Sequence, residues 1–302
     1  MDGPAVATAG KSRREGGVAL LEDSGAQGEL ATAAEVVEPS TGLVFVELSH
    51  EWGHYTPAYP GYRDIEVRRV ATHAMHGVLT QHVVTVMHNG THVNAPLHLA
   101  QGGLGVGEVP LDRFFGNGVV LSIPKGEWEY VEPSDLAAAG PEVQPGDVVI
   151  VNTGWHRNYA DDMEYFGHAP GLSEPAAQWL AERQPRFVGI DTANIDHPLA
   201  TTLAQAHRFV GPTIVELPRR YRQRTGHEVV EDFPDWNPAH RLLAKAGIPT
   251  VENVGGDVDA VTGRRCTFHA VPWHWPQADA CLVRLVAIHD PSGKYRIESG
   301  EG

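Results

Sequence analysis

Apolar positions between residues 43 and 290 fall mainly into short β-branched runs divided by Gly, Pro, Asn and Asp. "LVFVELS" (43–49) reads as a buried strand and "TPAYPGY" (56–62) as a turn-rich loop. Further strands are predicted over "HVVTVMH" (82–88), "NGVVLSIP" (117–124), "GDVVIVNTG" (146–154), "RFVGIDT" (186–192), "IPTVENV" (248–254) and "ACLVRLVAIHD" (280–290). Two helices interrupt them. "SEPAAQWLAER" opens on a Ser173 cap with Pro175 just inside, and "PAHRLLAKAG" is closed by Gly247. Strands interleaved with helices predict one α/β domain over residues 41–290. Residues 1–40 carry Ala, Gly and Glu with almost no aromatics, too little apolar surface to offset ordering entropy. They are predicted to be a disordered arm with a short helix near Ala19–Leu21, and residues 291–302 a flexible tail.

Composition narrows the class. Of 302 residues, 42% are apolar and 20% charged, and no apolar run reaches the eighteen residues of a membrane span. The formal charge of −15 argues against nucleic acid and anionic membranes as partners, since both require basic patches. Two cysteines, Cys266 and Cys281, form no disulfide framework and fit a reducing, cytoplasmic setting as small buried residues. Histidine is the anomaly, at 17 copies.

Three of these histidines crowd into "MHNGTHVNAPLHL" (87–99), spaced His88-x3-His92-x-Asn94-x3-His98. Gly90 and Pro96 rule out one helix carrying all of them. On extended backbone His92 and Asn94 share a face, and a bend at Asn89-Gly90 brings His88 round to join them. Imidazoles in this density suit a divalent ion such as zinc or manganese.

"HNGTHVNAPLH" resembles the signature His-x-Gly-Thr-His-x-Asp-x-Pro-x-His of the cyclase family of metal-dependent hydrolases, which includes bacterial kynurenine formamidase and isatin hydrolase. "VELSHEWGHYTPAYPGY", "VNTGWHRNY", "YFGHAPGLSEPAAQWLAER", "FVGIDTANIDHP" and "HRLLAKAGIPTVENV" are similar to other family segments, so the resemblance covers about residues 43–290. It implies a swivelling β/β/α-like domain, a mixed sheet with flanking helices. It implies metal ligation by His88, His92, Asn94 (in place of the aspartate), His240 and Glu252, with His98 as the catalytic acid/base. His240 and Glu252 match the family's spacing of twelve; a competing pair, His207 and Glu216, is spaced nine and sits in a less similar context. Choosing the former leaves an insertion around residues 199–235, whose Arg219, Arg220, Arg222 and Arg224 suit a lid, a subunit contact or a solvated loop.

Two departures from the pattern change the expectation. Asn94 replaces a carboxylate that bridges two metals in binuclear relatives. Two divalent ions against Glu252 and one hydroxide would leave excess positive charge in a partly buried site, so one zinc or manganese ion per chain is expected. The second departure, "FHAVPWHWPQ" (268–277), puts His269, Trp273, His274 and Trp275 where the family has an apolar run and a lysine. Trp273 and His274 are expected to shape the substrate pocket, and Trp52 and Tyr59 to stack on a flat substrate.

The expected activity is metal-assisted hydrolysis of an amide, formamide, cyclic amide or lactone in a small planar molecule, with His98 moving the proton. Ring closure in aromatic polyketide assembly is the second reading, and a non-catalytic metal- or ligand-binding protein the third. Relatives of this kind are commonly dimers or tetramers, so a homo-oligomer is expected.

Overall fold

The computed structural model describes residues 35–205 and 216–301. Among them the strands run in chain order as β1 (Glu35–Val37), β2 (Val44–Glu47), β3 (Glu66–Ala71), β4 (Thr80–Val84), β5 (His92–Asn94), β6 (Phe115–Ser122), β7 (Tyr130–Val131), β8 (Val148–Asn152), β9 (Gly171–Leu172), β10 (Val188–Ile190), β11 (Thr250–Glu252), β12 (Arg265–His269), β13 (Ala280–Leu282) and β14 (Val286–His289). Ten of them share one mixed sheet in the order β1-β2-β14-β12-β6-β8-β10-β11-β5-β13. The fold is therefore α/β with a large mixed sheet and flanking helices.

The centre of the sheet, β6-β8-β10-β11, is parallel. Parallel strands covered on both faces demand continuous apolar runs, which is what "VVIVN" and "GVVL" provide. Alternate residues part to the two faces. Val119, Leu121, Val149, Val151, Val188 and Ile190 pack under the helices Glu174–Glu182 and Pro238–Lys245, while Val120, Val148 and Ile150 join Val93, Val251 and Cys281 in the opposite core. Ser173 caps the first helix by accepting from Ala176 N, and Gly247 takes the left-handed conformation (φ 72°) that ends the second. Cys266 and Cys281 are both buried, as expected.

Several boundaries differ from the sequence reading. β1 lies within the segment assigned to the disordered arm; it pairs with β2 at the edge of the sheet. The short helix expected near Ala19–Leu21 falls outside the described residues. "HVVTVMH" yields only β4, which ends at Val84 and pairs with β3 in a separate hairpin, exposed along the whole of β4 among the described residues. "ACLVRLVAIHD" divides into β13 and β14, which pair with different partners, β5 and β2. The tail is not loose through residue 301. Asp290 turns the chain by accepting from Ser292 N and Tyr295 N, after which Glu298 binds Arg265 and Glu301 O accepts from Arg265 N. β12 was missed altogether, since "RRCTFH" has too few β-branched residues to register.

The four arginines of the insertion lie on or beside one helix, Glu216–Thr225, and each is paired: Arg219 with Glu216, Arg220 and Arg224 with Glu127, Arg222 with Glu228. Arg220 and Arg224 also lie over the Trp128 ring, at 5.9 and 5.4 Å. This clamps the helix to the loop before β7.

Candidate metal centre

The cassette bends where the sequence allows it. Gly90 has φ 77°, and a Cβ there would come within 2.9 Å of the Trp52 indole and 3.2 Å of Thr56. The Gly90 carbonyl accepts from His92 Nδ1 at 2.9 Å and from Asn253 Nδ2 at 3.0 Å. Asn253 is itself left-handed (φ 55°), and its other amide atom accepts from the Tyr165 hydroxyl at 2.6 Å. The bend is thereby clamped to the end of β11.

Beyond it, β5 runs between β11 and β13, with His92 opposite Glu252 and Asn94 opposite Thr250. Alternation sends His92, Asn94, Thr250 and Glu252 to one face and Val93, Val251 and Cys281 into the core on the other. Pro96 then turns the chain into a 3₁₀ turn that carries His98 back towards the same face. His240 arrives from elsewhere, at the start of helix 238–245. Its local cap, Asn237, is left-handed and makes no side-chain cap; instead Asp196 accepts from Ala239 N at 2.8 Å and His240 N at 3.1 Å. Burial raises the Asp196 carboxyl to about 7 in spite of those two donors.

These elements bring His88, His92, His98, His240 and Glu252 together. His92 Nε2 lies 3.3 Å from Glu252 Oε2, and His240 Nδ1 3.5 Å from Glu252 Oε1. His88 Nδ1 lies 3.3 Å from His92 Nε2. The His98 ring sits 4.3 Å from that of His88 and 5.6 Å from that of His240. Glu252 Oε1 also accepts from Ile195 N at 2.9 Å. Although burial alone would raise it, contacts with His92 and His240 hold this carboxyl down at about 2. Burial depresses the His240 imidazole to about 3, so it is neutral.

The outward nitrogens are all engaged. His92 Nδ1 donates to Gly90 O, and His240 Nε2 and the Thr250 hydroxyl share a hydrogen bond at 2.9 Å. His88 Nε2 faces Asp279 Oδ2 at 2.9 Å. His92 Nε2 and His240 Nδ1 face the Glu252 carboxylate, and His88 Nδ1 faces His92 Nε2. Asn94 Oδ1 and His240 Nδ1 find no hydrogen-bond partner among the described residues. A buried polar atom without a partner is costly, and three imidazole nitrogens with one carboxylate suit a divalent cation. The residues fit the group.

Other expected residues are placed less centrally. Asn94 reaches Thr250 Oγ1 through Nδ2 at 3.4 Å. Tyr59 lines the cavity beside the cluster, about 220 Å³ in volume, together with Tyr62, His88, His98, Asn194, Thr202 and Glu252. Trp52 instead covers the cassette bend, donating to Asn89 O at 3.2 Å. Trp273 and His274 line a different cavity with Val106, Leu111 and Phe114, and the structure does not bring them to the histidine cluster. Their chain pairs back on itself before β13, so their bulk is spent away from the site. In the competing pair, Glu216 is on an exposed helix and ion-paired with Arg219, while His207 lies outside the described residues.

Sequence reasoning missed Asp279. It precedes β13, and its Oδ2 lies 2.9 Å from His88 Nε2 and 3.6 Å from His98 Nδ1. One coordinating atom from each of these three residues lies within 4.8 Å of the others. Hydrogen bonds from the two histidines hold this carboxyl well below the usual range. A lone acid inside "PQADAC" offers no motif; only strand pairing reveals its position.

Known structures share this fold. Isatin hydrolase A from Labrenzia aggregata superposes with a TM-score of 0.64 at 19% identity, over 82% of this chain and 93% of its own. Isatin hydrolase A from Ralstonia solanacearum gives 0.63 at 17%, over 82% and 92%. A structure described as a predicted metal-dependent hydrolase from Bacillus stearothermophilus gives 0.58 at 22%, over 82% and 98%. The family model described as Putative cyclase matches residues 46–197, half of the chain and the whole His88–His98 cassette. The chain belongs to the Putative cyclase family.

Proposed function

We propose that the protein is a metal-dependent hydrolase acting on an amide, formamide or cyclic amide bond, or a lactone, of a small planar molecule. The observation that supports this reading most directly is the buried cluster itself, in which His92 Nε2 and His240 Nδ1 face the two oxygens of Glu252 and His88 Nδ1 faces His92. His88, His92, His240 and Glu252 would hold one zinc or manganese ion, with the Asn94 oxygen beside them. Such an ion supplies Lewis-acid polarisation of a carbonyl and lowers the pKa of water to about 7.

The chain's own groups do the rest. His98, partly exposed at the rim of the cavity, accepts a proton from the attacking water and returns it to the leaving nitrogen, a contribution of roughly 10²–10⁴-fold. Tyr59 and Tyr62, 5.7 Å apart by ring centroid, form an aromatic wall for a flat substrate. The cavity is smaller than the about 300–1,000 Å³ of drug-sized clefts, which favours a one- or two-ring molecule. The isatin hydrolases among the structural neighbours support a cyclic amide in particular.

We also propose a homo-oligomer. The β3–β4 hairpin projects Val70, Val83 and Val84, with Met75, Val78 and Leu79 in its connection, all exposed. No helix among the described residues is long and apolar enough to cross a membrane, and a cytoplasmic setting is proposed. The test is elemental analysis of protein purified without added metal, followed by a panel of isatin-like cyclic amides, aryl formamides and lactones. Retained divalent metal with turnover of one class supports the reading. Metal without hydrolysis of any would favour ring closure or a binding role.

A further inference from the structure

The face of β5 turned to the histidine cluster carries the neutral Asn94, and Glu252 is the carboxylate that faces the imidazoles from β11. Across one step of the sheet, Ala280 pairs with Asn94, and Asp279 O accepts from Ala95 N at 2.8 Å. Asp279 thus enters the site from the strand beside the one that carries Asn94. Its Oδ2 serves two imidazoles at once, His88 Nε2 at 2.9 Å and His98 Nδ1 at 3.6 Å. The nitrogen of His88 that it holds is the one facing away from His92, so this oxygen does not compete for the inner position.

We infer that Asp279 is the second carboxylate of the metal centre, a positioning residue that acts through His88. The inference rests on the reading of His88 as a metal ligand given above. Accepting the His88 Nε2 proton fixes the tautomer that leaves Nδ1 free for the ion, and it raises the basicity of that nitrogen. One divalent ion is then balanced by Glu252 and Asp279 together, without a carboxylate bridging two metals. An ordinary exposed ion pair contributes only about 0–1 kcal/mol. This one differs because its histidine side chain is 10% exposed and passes the effect inward.

The experiment is competition of zinc between a chromophoric chelator and the full-length apo-protein, for the native chain, Asp279→Asn and Asp279→Glu. Asp279→Asn is expected to weaken zinc binding by about 10–100-fold with stoichiometry unchanged, and Asp279→Glu to recover part of it. The absorption bands of the cobalt-substituted variant should shift, because the donor strength of His88 has changed. The thermal midpoint of the apo-protein should stay within about a degree, because the carboxylate is 56% exposed. Equal zinc affinity in the native chain and Asp279→Asn overturns the inference while leaving the metal centre intact. Loss of one of two bound ions also overturns it, by making Asp279 a direct ligand. A native chain that binds no divalent ion removes both the inference and the reading beneath it.

Discussion

Two ends of one sheet follow opposite rules. In β6, β8 and β10 both faces are apolar and every inward position of the run Val148–Val151 is fully buried. In β11, β5 and β13 burial is just as complete for most residues, yet one face carries His92, Asn94, Thr250 and Glu252. The centre gains from water exclusion alone. The far end uses the same exclusion to set a carboxylate beside imidazoles, leaving Asn94 Oδ1 and His240 Nδ1 without a hydrogen-bond partner among the described residues. Buried polar groups without partners oppose folding, and their retention marks the end of the sheet where chemistry occurs.

The largest effect expected on this contrast comes from Glu252→Gln. Removing the charge on which His92 and His240 converge should weaken metal binding by more than about 100-fold, beyond the usual effect of supporting groups. Elemental analysis after gel filtration checks it; full retention would mean the carboxylate does not define the site. Next comes His98→Ala, for which turnover should fall roughly 10²–10⁴-fold with metal content unchanged. Loss of metal instead would make His98 itself a ligand. Ile150→Ala, at the apolar end, should do the reverse: about 2–5 kcal/mol of unfolding stability is lost while zinc affinity holds. Urea unfolding and chelator competition on the same preparation read both. A variant that loses affinity as well would show that the two ends are mechanically coupled.

The contrast also explains what was legible beforehand. The central strands announce themselves through unbroken β-branched runs, because both of their faces need apolar cover. The cassette was legible by spacing, and the Gly90 bend by the only residue that tolerates it. The end of the sheet was harder, since three-residue strands such as β5, β11 and β13 carry no period. Asp279 and Tyr62 were invisible for that reason: Asp279 reaches His88 through strand pairing, and Tyr62 reaches the cavity through a loop, neither of which a local pattern encodes. Trp273 and His274 misled because large aromatics next to a departure from the family pattern look functional. They border an apolar cavity on another side.

A smaller effect concerns acid. Burial lowers His197 to about 4, and the ring is locked neutral, with Nε2 donating to Trp128 O at 3.0 Å and Nδ1 accepting from Leu199 N at 3.2 Å. His50, stacked on Tyr159 at 3.6 Å, is likewise lowered to about 4 by burial. The folded pKa of each lies below the unfolded value, so the unfolded chain takes up the proton first. Their contribution is complete above about pH 6.5 and is lost as pH falls towards 4, at up to about 1.4 kcal/mol per unit for each. His197→Gln should narrow the difference in urea midpoint between pH 7 and pH 5. An undiminished difference would assign the acid sensitivity elsewhere.

The smallest expected change tests the polar end directly. Asn94 offers the site a neutral oxygen that has no partner among the described residues, while its amide nitrogen reaches Thr250. Restoring the carboxylate by Asn94→Asp adds a negative charge on the face shared with Glu252 and His92. With Asp279 already placed beside His88, a second divalent ion would then meet three carboxylates instead of two. The metal-to-chain ratio should therefore rise from near one towards two at high metal concentration. Titration followed by elemental analysis reads the ratio. If it stays at one while affinity shifts, Asn94 acts by orienting a ligand or a water through hydrogen bonds, and the charge argument for a single ion loses its force. Two ions held at full occupancy by the unaltered chain would reject that argument outright, for the site would then tolerate excess positive charge without the aspartate.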